Sequence, residues 1–150
     1  MLAIYIDADA CPVKPEVYRV AARYGLHVTV VANTPMRVPD SDGVELVVVD
    51  DQFDAADDWI VEQVTTGDIV VSADIPLAAR CLEKGARVLD PRGSVFTQDS
   101  IGEALAGREL LSQLREMGTL TGGPAPFEKR DRSRFLQQLD QTIQTVKRGG

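Results

Sequence analysis

Between Leu2 and Leu89, five short apolar runs are separated by three helical periods and one loop, and few folds accept that rhythm. Leu2–Ile6 predicts a first strand. Val13–Tyr24 predicts a helix, because Val17, Val20, Ala21 and Tyr24 keep helical spacing, Pro15 lies in the first turn and Gly25 stops it. His27–Ala32 is a second strand, and Asn33–Gly43, rich in Pro and Asp, is a loop. Glu45–Val49 is a third strand, Asp54–Thr65 a helix, Asp68–Ser72 a fourth strand, Asp74–Lys84 a helix and Ala86–Leu89 a fifth strand. Runs such as "ELVVV" and "DIVVS" hold three or four consecutive apolar residues instead of alternating, as in strands covered on both faces. The expectation is a three-layer, Rossmann-like α/β fold with a mostly parallel five-stranded sheet.

The last third reads differently. A helix is expected over Ser100–Met117, then a flexible connection, "GTLTGGPAPF", and a final amphipathic helix over Asp131–Val146 with Phe135, Leu139, Ile143 and Val146 on one stripe. No internal repeat breaks the chain. Its 150 residues suit a single domain, with residues 1–90 as the α/β body and 91–150 as a helical C-terminal extension.

Composition excludes some functions. No apolar run approaches the roughly 20 residues of a membrane span, and no basic-then-apolar start suggests a signal peptide, so a cytoplasmic location is the expectation. Cys11 and Cys81 show no metal or redox spacing. The net charge of −7 is uneven: residues 1–90 hold seven basic against sixteen acidic side chains, residues 91–150 nine against seven. An acidic body argues against broad electrostatic binding of nucleic acid. It suits a site that loses negative charge when a cation binds.

Sites in open α/β sheets form outside the carboxyl ends of the strands. Strand one ends there in Asp7 and Asp9, strand two in Asn33, strand three in Asp50 and Asp51, strand four in Ser72 and Asp74, and strand five in Asp90. Clustered carboxylates repel unless a cation or protons neutralise them, and hard oxygen donors suit Mg²⁺ or Mn²⁺. On the second helix, Asp57 falls inside the apolar face set by Phe53, Ile60, Val61 and Val64, whereas Asp54 and Asp58 fall outside it. Such a cluster serves metal-assisted phosphodiester hydrolysis without a side-chain nucleophile. Plainer roles fit the same residues: Asp74 as the N-cap of "IPLAARCL", Asp57 as part of a capping arrangement begun by Asp54, and Asp50, Asp51 and Asp90 as turn residues. Asn33 and Ser72 suit hydrogen bonding to the carboxylates or to a substrate phosphate.

The only histidine, His27, begins strand two at the opposite edge, which disfavours a Ser-His-Asp or Cys-His device. Neither G-x-x-x-x-G-K-[ST] nor G-x-G-x-x-G occurs. In "FEKRDRSRF", Lys129, Arg130, Arg132 and Arg134 lie between two aromatics, a pattern for steering a phosphate backbone or for a solvated helix start paired with Glu128 and Asp131.

The stretches "YIDADACPVK", "VVAN", "DAADDWIVEQV", "GDIVVSADIPLAARCLEKGARVLDPRG" and "PFEKRDRSRFLQQLDQTI" together resemble the bacterial YaiI/YqxD family over almost the whole chain. That resemblance implies a PIN-like fold, the fold of metal-dependent nucleases with an acidic pocket. It carries metal-binding and catalytic roles onto Asp7, Asp57 (or Asp58) and Asp74; beside them Asp9 is expected to assist as a supporting or alternate metal ligand. The D-A-D-A-C run and the extra C-terminal helix depart from many PIN domains.

Three functions follow as expectations. The first is an Mg²⁺- or Mn²⁺-dependent nuclease or phosphodiesterase acting on RNA. The second is a non-catalytic RNA- or protein-binding module with a vestigial acidic pocket. The third is a haloacid-dehalogenase-like phosphatase with Asp7 as nucleophile and Asp9 as general acid, for which the required later lysine and acidic pair are misplaced.

Overall fold

The computed structural model describes residues 2–9, 11–50, 55–118 and 126–149. In chain order its elements are β1 (Ala3–Asp7), α1 (Lys14–Tyr24), β2 (His27–Ala32), β3 (Val44–Val48), α2 (Ala55–Gln63), β4 (Ile69–Val71), α3 (Ile75–Glu83), β5 (Arg87–Leu89), β6 (Val95–Phe96), α4 (Gln98–Glu116) and α5 (Lys129–Lys147). They form one sheet of order β3-β2-β1-β4-β5-β6. β6 runs antiparallel to β5, and the other pairings are parallel. The mostly parallel, Rossmann-like architecture is the expected one.

The sheet has six strands rather than five. β6 spans two residues, too few to carry a period, and a tight turn brings it back. Asp90 Oδ1 accepts hydrogen bonds from the amides of Arg92 and Ser94, both at 2.9 Å. Gly93 takes φ +92° in that turn, and a Cβ there would sit 2.7 Å from Arg134 Cγ and 2.9 Å from Phe135 N. Asp90 is therefore a turn residue.

Alternation along the strands divides the core. Ile4 and Ile6 of β1, Val28 and Val30 of β2, and Ile69 and Val71 of β4 pack with Val17, Val20 and Ala21 of α1 and Phe135, Leu139 and Ile143 of α5. The opposite parity, with Val31, Val70 and Val88, packs against Ile60 of α2, Leu77 and Cys81 of α3, and Ile101 of α4. Phe135, Leu139 and Ile143 are fully buried, and each such side chain contributes about 1.5–3 kcal/mol. The C-terminal helix is thus a wall of the main core.

Most boundaries fall within two residues of expectation, and β2 matches it. α4 starts at Gln98 rather than Ser100, because Thr97 and Ser100 close a reciprocal cap: Ser100 N donates to Thr97 Oγ1 at 3.1 Å, and Thr97 N to Ser100 Oγ at 3.0 Å. α5 starts at Lys129 rather than Asp131, because Asp131 turns back to accept from Glu128 N at 2.9 Å. No helix among the described residues is long and apolar enough to cross a membrane.

Candidate functional site

The order of strands places the site. After β3 at one edge the chain crosses to β4 on the other side of β1, so strand order reverses between β1 and β4. A crevice opens at such a switch, beyond the carboxyl ends. β1 and β4 pair with Ile6 opposite Val71, which brings Asp7 level with Ser72 at the next rung. Ser72 Oγ donates to Asp7 Oδ2 at 2.9 Å and accepts from Asp74 N at 3.0 Å. One buried serine thereby ties both aspartates to the same strand end.

Asp74 is the N-cap of α3, its Oδ1 accepting from Leu77 N at 3.0 Å. Its capping role leaves the second oxygen available. Asp9, in the β1–α1 loop, accepts from Asn33 Nδ2 at 3.2 Å. Asn33 Oδ1 is buried and has no hydrogen-bond partner among the described residues. Burial pushes the Asp7 carboxyl above its usual pKa; the Ser72 bond pulls it down, and the charges of Asp9 and Asp74 push it further up.

The structure thus brings together Asp7, Asp9, Asn33, Ser72 and Asp74. Asp57 lies half-buried in the first turn of α2, and its charge pushes up the Cys81 thiol of α3. Asp58 is exposed and pairs with Arg80 at 2.9 Å. Asp50 is exposed, and Asp51, Phe53 and Asp54 lie outside the described residues. Among the described residues, no three or more His, Cys, Asp or Glu side chains stand close enough together to hold a metal ion. The donors are nonetheless of the right kind: carboxylate and amide oxygens, with one amide oxygen orphaned beside Asp9. A cation would have to draw the Asp7, Asp9 and Asp74 side chains closer than they stand.

Cys11 is no nucleophile here. It is buried, and burial pushes its thiol up, ahead of the smaller effects of the Val13 backbone bond and of Lys14. Cys81 is pushed up to about 11, chiefly by burial. His27 is exposed at the start of β2, at the far end from the aspartates. A hollow of about 690 Å³ also lies at that far end, lined by Tyr18, Leu26, His27 and Val44 among others. Its size does not connect it to the carboxylates.

A second hollow, about 470 Å³, opens beside Asp9 and is lined by Ala8, Asp9, Cys11, Pro12, Lys14 and Met36. Lys14 escaped the sequence reading because a lone lysine in a helix's first turn carries no pattern.

One arginine of the basic tail, Arg132, is tied into the fold. Arg132 Nη1 donates to Glu16 Oε1 at 2.7 Å and to Pro12 O at 3.1 Å, with its guanidinium 5.1 Å from the Phe127 ring centre. Arg130 pairs with Glu128 at 2.7 Å on the surface. Asp131 holds Arg92 at 3.0 Å. Lys129 and Arg134 are exposed, although Arg134 Cγ also covers Gly93.

A parallel sheet of this order with a polar crevice at its switch defines a Rossmann-like α/β protein. Residues 5–145 match the family model described as "Uncharacterized BCR, YaiI/YqxD family", and the chain belongs to that family. It is 60% identical to a UPF0178 protein of Rhodospirillum centenum, over 99% of both chains. A UPF0178 protein of Rhodospirillum rubrum is 55% identical over 99% of both, and one of Azorhizobium caulinodans 54% identical over 99% of this chain and 94% of its own. No solved structure matches the chain.

Proposed function

We propose that the protein is a metal-dependent phosphodiesterase of PIN-like type acting on RNA. The observation that carries this is Asp7: a carboxylate desolvated at the β1/β4 switch, held by one serine and faced by two further aspartates. A fold gains nothing from that arrangement unless a cation enters it.

Asp7, Asp9 and Asp74 would hold Mg²⁺ or Mn²⁺, with Asn33 Oδ1 alongside. A bound cation would polarise a phosphoryl oxygen and ease the deprotonation of water. Ser72 holds one oxygen of Asp7 and the α3 cap one oxygen of Asp74, and the cation would draw their other oxygens together. Asn33 holds Asp9 at the rim. Asp57, half-buried in the first turn of α2, would supply a further carboxylate from a helix that packs on β1.

The test is cleavage of labelled single-stranded RNA with Mn²⁺ by wild type, Asp7→Asn and Asp74→Asn. Cleavage that needs the cation and falls at least a hundredfold in both variants supports the proposal. A folded wild type that neither binds Mn²⁺ nor cleaves RNA sinks it and leaves a non-catalytic binding module.

A further inference from the structure

The 470 Å³ groove beside the carboxylates has two kinds of wall. Ala8, Cys11, Pro12 and Met36 are apolar, while Asp9 and Lys14 are charged. Lys14 is its one cationic lining residue among the described residues. The Lys14 ammonium donates to Cys11 O at 3.0 Å. That bond uses one of three donors, and none of the ion pairs among the described residues involves Lys14. Asp9 lines the same groove, yet no ion pair joins the two among the described residues. Here it rests on a carbonyl, with donors left for another anion.

The backbone adds to this. Lys14 opens α1, whose N-terminal end has no side-chain cap among the described residues, so its positive end adds to the lysine charge. The groove volume lies within the roughly 300–1,000 Å³ of small-ligand sites, enough for one nucleotide unit.

We infer that this groove is a nucleotide subsite for single-stranded nucleic acid: Lys14 holds a backbone phosphate next to the one facing the carboxylates, and Met36, Pro12 and Cys11 receive an unstacked base. The inference rests on the phosphodiesterase proposal and adds the strandedness of the substrate. A duplex keeps its bases stacked inside, away from such a wall, whereas a single strand can turn one outward.

The test is fluorescence anisotropy of a fluorescein-labelled oligouridylate and of a duplex RNA of equal length, in millimolar Ca²⁺ over a salt series. Wild type is expected to bind the single strand more tightly. Lys14→Gln should weaken that binding about tenfold at low salt and reduce the slope of log K against log salt by about 0.7, the value of one phosphate contact on a single strand. Lys14→Arg should restore the slope, and Arg108→Gln, exposed on α4, should leave it unchanged. Mn²⁺ calorimetry should be the same for Lys14→Gln as for wild type. An unchanged slope in Lys14→Gln, or tighter binding of the duplex, overturns the subsite while leaving Mn²⁺ binding and cleavage intact. A wild type that binds neither RNA nor Mn²⁺ overturns the underlying proposal as well.

Discussion

Two aspartates sit at opposite ends of the same sheet, and the chain treats them differently. Asp68, at the amino end of β4, is 5% exposed and stitched in three ways. Its Oδ1 accepts from Ala3 N at 2.9 Å, and its Oδ2 accepts from Thr65 N at 2.9 Å and Thr65 Oγ1 at 3.0 Å. Asp7, at the carboxyl end of β1, has one side-chain bond among the described residues, from Ser72, and faces the charges of Asp9 and Asp74. A structural carboxylate is surrounded by donors. Asp7 has one donor and the charges of two further carboxylates acting on it, the imbalance on which the proposed cation site rests.

Breaking the structural end should have the largest effect. Asp68→Ala leaves the amides of Ala3 and Thr65 without their acceptor and should cost about 3 kcal/mol, a fall of roughly 6–12 °C in Tm by calorimetry. Gly93→Ala tests whether α5 is as firmly seated as the buried stripe implies. Its positive φ and the 2.7 Å approach to Arg134 predict a loss of about 1–3 kcal/mol in urea titration. Arg132→Ala removes one of two arginines from the buried Glu16 and should cost about 1–2 kcal/mol, with the salt slope of RNA binding unchanged. A fall in that slope would return Arg132 to the phosphate-steering role read from the sequence.

The functional end should respond with opposite sign and smaller size. Because the Asp7 pKa is raised in the folded protein, its carboxylate opposes folding at neutral pH. Asp7→Asn, whose amide oxygen can still accept from Ser72, should raise Tm by a few degrees in chelator. The advantage should shrink as pH falls through the raised Asp7 pKa toward 3.8, where wild type protonates and loses the same penalty. Tm of both proteins across that acidic window checks the sign.

Much of this end was legible in the sequence. A strand-terminal aspartate, an aspartate before a proline-started helix and the strand alternation together place Asp7, Ser72 and Asp74 at one edge. Register then does the rest, because parallel pairing of β1 with β4 makes Asp7 and Ser72 neighbours. What stayed hidden depends on long-range partners. Arg132 and Glu16 are 116 residues apart, and no local pattern signals that one arginine of a basic run will be tied to the start of α1. Asp57 is half-buried in the first turn of α2, and helical period alone cannot say whether it reaches the crevice. β6 is two residues long and exists only because the Asp90 turn returns the chain.

The most direct measurement is the thermal stability of wild type and Asp7→Asn, each in chelator and in millimolar Mn²⁺. Asp7→Asn should be the more stable in chelator, and Mn²⁺ should raise Tm of wild type only, by the binding free energy it adds to the folded state. An Asp7→Asn protein that is less stable in chelator, with a Mn²⁺ shift equal to that of wild type, would show Asp7 to be a structural carboxylate like Asp68.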